Sequence, residues 1–201
     1  MNEVLDFCKK NLTMKIPINQ LLNEIRIITE NNIEFAQSLL DQSNETLNFR
    51  TSEDSWSILE CLEHLNFYGD FYLPEIENRI SESRFQTTKS EFKSGILGNY
   101  FANMMLPKEK LNKMKTLKIS NPIHKQLNKS VIEEFISQQN KVLELLERVK
   151  VVDLERTKTS ISISKLIKLK LGDTLRFVIY HNLRHIKQAE NILKSIQIGV
   201  N

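Results

Sequence analysis

Apolar residues recur along most of this chain at steps of three and four, the period of an α-helix with one buried face. The first such run extends from near Pro17 to Gln42, with Ile18, Leu21, Leu22, Ile25, Ile28, Ala36, Leu39 and Leu40 on one side. Pro17 suits the first helical turn, where its missing N–H is not needed. After a polar connection over Ser43 to Ser55, Ser57-Ile58-Leu59-Glu60 has the form of a capping box. In that motif the serine accepts from the N3 amide and the glutamate reaches back to the cap N–H. Trp56 and Cys61 fall at the N′ and N4 positions of a hydrophobic staple, which would fix how the chain enters the second helix. This helix should reach about Ser83, with a kink near Gly69 and Pro74, because proline cannot donate to the carbonyl of Asp70.

From Arg84 to Asn128 the period weakens, apart from a short helical pattern through Ile96, Leu97, Tyr100, Phe101, Met104 and Met105. The stretch reads as a long structured crossover. Ser130-Val131-Ile132-Glu133 is a second capping-box pattern, opening a third helix to about Val151 with Ile132, Phe135, Ile136, Val142, Leu143, Leu146 and Val149 inward. Ile161 to Leu171 alternates apolar and polar residues, which favours an extended segment, although a lone strand would lack a partner. Gly172 and Asp173 introduce a last helix, with Asp173 as its expected cap, running to about Gln197. The fold class predicted is all-α, a four-helix bundle with a long crossover between helices two and three, and residues 1–201 form one domain.

Composition supports this reading. Five glycines and four prolines in 201 residues are few for a turn-rich sheet protein, and 40% hydrophobic residues suffice for one full core. No basic segment followed by an apolar run opens the chain, and no window approaches a membrane span, so a soluble protein of the cytoplasm with no membrane partner is expected. Cys8 and Cys61 are too few and too unpatterned for a disulfide framework and should be free thiols. The net charge of +3 is unevenly spread, with Lys108, Lys110, Lys113, Lys115, Lys118, Lys125 and Lys129 opposed by Glu109 alone. Such a run could touch phosphates, yet no aromatic residue lies between Pro107 and Lys129 to stack on bases. A solvated connector is favoured over a nucleic-acid partner.

Candidate chemistry lies in the histidines. His181 and His185 are four residues apart, which puts both imidazoles on one helix face. Val178, His181, His185, Gln188 and Ile192 follow alternating three- and four-residue steps, so the pair lies on a core-directed stripe. His64 sits two turns inside the second helix, beside the apolar positions Cys61, Leu65 and Tyr68. If the second and last helices are neighbours, three neutral imidazoles can hold a divalent ion with a coordination position left open, as in catalytic sites. A pair of this spacing is also common in proteins that bind no metal, and spacing alone does not bring the helices together. Glu60 could be a fourth ligand, a supporting partner or a base, but the capping box already accounts for it. Cys61 could offer a thiolate, although a buried apolar role in the staple is favoured. Gln188 could orient a ligand or a substrate. His124, within the lysine-rich connector, is expected to be exposed. No phosphate-binding glycine loop, dinucleotide fingerprint or serine-hydrolase elbow is present.

Trp56-Ser57-Ile58 with Glu60 and His64-Leu65, taken together with Tyr180-His181-Asn182-Leu183-Arg184-His185-Ile186-Lys187-Gln188, resembles the DinB-like superfamily. There a W-S-x-x-E-x-x-x-H-L segment on helix two and an H-x3-H-x2-Q segment on helix four carry three histidine ligands, matching His64, His181 and His185. The resemblance implies an up-down-down-up bundle and a site for nickel, zinc, manganese or iron, often in a homodimer. It also implies a small-molecule substrate, since some members are thiol transferases or isomerases that use bacillithiol, mycothiol or glutathione. The function expected is a metal-dependent enzyme of thiol S-transferase or hydrolase-like type. The alternative is a non-catalytic helical binding or stress-response module with a structural or vestigial metal site.

Overall fold

A computed structural model describes residues 14–86, 89–107 and 116–199, except the side chains of residues 165 and 197–199. Cys8 and the lysines at 108, 110, 113 and 115 lie outside these. The described residues are 65% helical. Among the described residues, no helix is long and apolar enough to cross a membrane.

Helix α1 (Ile18–Leu39) buries Leu21, Leu22, Ile25, Ile28, Ala36 and Leu39, the face its periodicity predicts. Pro17 stands one position earlier than expected, as the extended N-cap, and belongs to strand β1 (Lys15–Pro17). The polar connection that follows contains a short helix α2 (Asn44–Asn48), because Ser43 Oγ accepts from Thr46 N at 3.1 Å and caps it. Helix α3 (Ile58–Ser81) opens on the Ser57–Glu60 capping box and is continuous through Pro74. Strand β2 (Glu91–Lys93) pairs antiparallel with β1, and α4 (Ile96–Met105) occupies the short pattern in the crossover.

Helix α5 (Ser130–Arg148) continues into a 3-10 turn over Val149–Val151. Its start corrects the sequence expectation. Lys129 is the N-cap, without a side-chain cap bond, and Ser130 N donates to Asn128 Oδ1 at 2.9 Å. The asparagine two residues upstream thus takes the amide that the serine box was expected to organise around Ser130.

The alternating segment does find a partner. Strand β4 (Ser164–Lys170) folds back antiparallel on β3 (Lys158–Ile161), with Thr159 opposite Leu169. Helix α6 (Leu171–Gly199) follows directly. Asp173 lies in its first turn but does not cap it. Its carboxylate accepts from Gly95 N at 2.8 Å and from Ser94 Oγ, so it holds the N-cap residue of α4 instead. Gly98 of α4 lies so close to Asp173 that a Cβ there would overlap its carboxylate.

Paired contacts give the relative directions of the long helices. Asn66 bonds Val131, Asp70 bonds Gln138, and Glu77 bonds Lys141 and Arg148, so α3 and α5 run the same way. Lys129 Nζ donates to Leu40 O while Arg26 pairs with Glu147, which makes α1 and α5 antiparallel. Tyr72 on Phe177, Tyr68 on His181 and His64 on His185 make α3 and α6 antiparallel. Helix α1 meets α6 where Tyr180 Oη donates to Glu24 Oε1 at 2.6 Å.

The apolar core is in two parts. One gathers Ile25, Tyr72, Ile76, Phe92, Leu145, Leu175 and their neighbours. The other gathers Ala36, Trp56, Leu59, Leu65, Phe135, Ile186 and Ile192. Between these levels each long helix contributes buried polar residues: Thr29 and Asn32, His64 and Asn66, Gln139, and His181, Asn182 and His185.

Candidate metal centre

Three histidines come together in that polar level. The capping box fixes where α3 begins: Ser57 Oγ accepts from Glu60 N at 3.2 Å, and Glu60 Oε2 accepts from Ser57 N at 2.7 Å. One turn later His64, only 3% exposed, faces the antiparallel α6. There the four-residue step aligns His181 and His185, both buried. His181 Nε2 lies 3.3 Å from His64 Nε2 and 3.1 Å from His185 Nε2. The ligand atoms of all three lie within 4.8 Å of one another.

The outward ring nitrogens decide what the inward ones present. His64 Nδ1 is 2.7 Å from the Ser120 carbonyl, which can only accept, so Nδ1 carries the proton and Nε2 a lone pair. His185 Nδ1 faces Gln188 Oε1 at 3.0 Å, with the same result. A proton on His181 Nε2 could satisfy one of these two lone pairs but not both. A cation can accept from all three. Nitrogens bound at about 2.1 Å are about 3.4 Å apart at tetrahedral angles and about 3.0 Å apart at right angles. The two separations from His181 fall in that interval and the whole set lies within 4.8 Å, so the donor set suits a divalent ion seated against His181.

Burial keeps the donors neutral. It lowers His64 to about 4, against the Ser120 bond that raises it. It lowers His185 to about 3, helped by the neighbouring His64. His181 is pushed well below its ordinary value by burial and then by His185 and His64. Aromatic rings enclose the cluster. Trp56 lies 4.7 Å from the His64 ring and 5.4 Å from His185, Tyr68 lies 4.7 Å from His181, and Phe177 stacks on His181 at 5.9 Å.

The other singled-out residues fall around this cluster. Gln188 reaches it through His185. Glu60 is fully buried and turned to other partners: Arg50 Nε and Nη2 at 2.9 and 2.7 Å, Ser57 N, and His124 N at 2.5 Å. Cys61 is buried beside Trp56 in the apolar cluster, its thiol pushed up by burial and by the Glu60 charge. His124 is exposed, as expected. Lys125 pairs with Glu63 at 2.8 Å, and Lys129 reaches the Leu40 carbonyl. The Ser120 carbonyl was not foreseen, since any residue supplies one. Asn121, whose Oδ1 accepts from Trp56 Nε1 at 3.0 Å, also left no pattern in the sequence.

A family model described as the DinB superfamily matches residues 29–189, most of the chain. The chain belongs to the DinB superfamily. The DinB match begins within α1 and ends just past Gln188, so it takes in all three histidines, Glu60 and Ser120. No curated protein and no solved structure matches the chain significantly.

Proposed function

We propose that this DinB-superfamily chain holds one divalent metal ion through Nε2 of His64, His181 and His185 and acts as a metal-dependent enzyme on a small-molecule substrate. The observation that carries this reading is the convergence of three buried imidazoles, with His181 Nε2 at 3.3 Å from His64 Nε2 and 3.1 Å from His185 Nε2, and the latter two fixed as lone-pair donors by Ser120 and Gln188. Imidazole donors suit zinc, nickel or iron, and the family resemblance adds manganese. An ion held by His64, His181 and His185 would supply Lewis-acid chemistry, the acidification of a thiol or water and the polarisation of a substrate group. The chain's own residues orient and shield: Ser120 and Gln188 hold two rings, while Trp56, Tyr68 and Phe177 keep bulk water from the donors.

The reaction class we assign is thiol S-transfer or a related hydrolase-like activity, with a low-molecular-weight thiol as cosubstrate, and it rests on the family resemblance. The helix directions support an up-down-down-up four-helix bundle over one domain. The exposed Ile96, Leu97 and Tyr100 of α4 support a homodimer contact. We place the protein in the cytoplasm, where low-molecular-weight thiols are reduced. Glu60, a candidate for direct chemistry, already has its two oxygens filled by four donors and acts in support of the site.

The burial of all three donors favours a second reading, a non-catalytic module in which the ion serves stability. One experiment separates them. Chelator-treated protein is titrated with Zn²⁺, Ni²⁺ and Mn²⁺, and the loaded protein is assayed with thiols against a panel of electrophiles. Uptake of one equivalent, lost in His181→Ala, with thiol transfer supports the enzyme. Uptake without transfer but with a large gain in thermal stability supports the module. Absence of uptake overturns both.

A further inference from the structure

The capping box uses one of the hydrogen bonds that Glu60 accepts. The other three are unexplained by it. Arg50 fills one side of the carboxylate in bidentate fashion, and His124 N approaches Oε1 at 2.5 Å. His124 belongs to the segment 118–125, a 3-10 turn over Lys118–Ser120 followed by irregular chain. Its φ of 65° puts a non-glycine residue in the left-handed region, which is costly unless the surroundings hold it there. The bond to a buried, charged acceptor is such a constraint.

That same segment supplies two contacts to the histidine cluster. Ser120 O fixes His64 Nδ1–H at 2.7 Å, and Asn121 Oδ1 fixes the Trp56 indole, whose ring lies over His64 and His185. No strand or long helix ties residues 118–125 to α3. Side-chain bonds do so, His124 to Glu60, Lys125 to Glu63 and Asn121 to Trp56, beside the packing of Ile123 on the apolar cluster of Leu59 and Leu65.

We infer that Glu60 is a positioning residue for the metal centre: by holding the His124 N–H it anchors segment 118–125, and so sets the His64 tautomer and the seat of Trp56. The inference rests on the three-histidine reading for its consequence in metal affinity, but not for its consequence in the free protein. Without the clamp the Ser120 carbonyl is free to withdraw, and His64 can take the tautomer that presents Nε2–H, which cannot bind an ion.

The test uses the full chain as wild type, Glu60→Ala, Glu60→Gln and Ser57→Ala, each checked for folding by circular dichroism. In metal-free protein, nitrogen–proton NMR reads the His64 tautomer and exchange of the Trp56 indole N–H. Wild type should show Nδ1–H at His64 and a protected indole. Glu60→Ala should give mixed tautomers and indole exchange at least about tenfold faster, and bind zinc about 10- to 100-fold more weakly in competition with a chromophoric chelator, the range for lost supporting partners. Glu60→Gln keeps one oxygen able to accept the His124 N–H and should fall between. Ser57→Ala removes the cap acceptor but not the clamp, so it should lower thermal stability and leave tautomer and zinc affinity at wild-type values.

A folded Glu60→Ala protein with the wild-type tautomer and indole protection overturns the proposal. So does Ser57→Ala shifting both as far as Glu60→Ala, since the effect would then be loss of the cap. If Glu60→Ala does not fold, Glu60→Gln decides, and wild-type behaviour in it counts against the clamp. If wild type takes up no zinc, the metal reading fails while the NMR comparison still judges Glu60.

Discussion

His64 and His185 each commit one ring nitrogen to an oxygen and turn the other inward, and neither can carry a second proton without placing a charge in a buried aromatic sleeve. Their folded-state values of about 4 and about 3 lie below the 6.5 of an unfolded histidine. Between those limits the unfolded chain binds more protons, so stability from these groups is complete above pH 6.5 and is lost as pH falls through the folded values. Metal-free protein should therefore show a urea midpoint that starts to decline near pH 6.5, and a midpoint flat from 6.5 to 4.5 would contradict it. Glu155 acts at lower pH. Burial pushes its carboxyl up, but bonds from Lys170 and Lys89 outweigh this and hold it at about 2, against an ordinary 4.5. Its contribution is present above pH 4.5 and lost toward 2, so Glu155→Gln should flatten the acid limb in that window only. His64, His181 and His185 were legible because side-chain identity at helical spacing carries the information. Ser120 was not, because the atom it supplies is backbone.

Helix boundaries divide in the same way. The Ser57–Glu60 box forms because the cap residue Ser57 is itself extended, whereas Lys129 before Ser130 is already helical and leaves no non-helical cap position there. Asp173 has the right type for a cap and serves a different helix, a choice made by tertiary packing. The hairpin partner Lys158–Ile161 was missed because four residues, two of them Lys158 and Ser160, carry too little pattern. Two glycines measure how tightly the elements meet. A Cβ at Gly98 would strike the carboxylate of Asp173, which Ser94 and Gly95 hold in place, so Gly98→Ala should cost about 1–3 kcal/mol in urea denaturation. A Cβ at Gly69 would strike only the end of Gln138, which can swing away at the expense of its bonds to Asn66 O and Asp70. Gly69→Ala should therefore cost less, about 1 kcal/mol.

Across the whole molecule, the donors come from opposite ends of the chain: His64 and His181 are 117 positions apart. An ion that binds only the folded arrangement adds about 2.7 kcal/mol at a hundredfold excess over Kd, which for a chain of this size is roughly 5–10 °C in Tm. Adding excess chelator should reverse that rise in a thermal melt, and an unchanged Tm would argue against a bound ion. The two apolar clusters do not merge through the polar level between them, and this bears on how the protein opens. Contiguous apolar packing is what makes distant amides open together. Here each end has its own oil-like interior, and the seam between them is held by directional bonds and, when loaded, by the ion. Amide hydrogen exchange on chelated protein should then resolve two opening units, one around Phe92 and Leu145 and one around Trp56 and Phe135. Loading the seam should make them open as one.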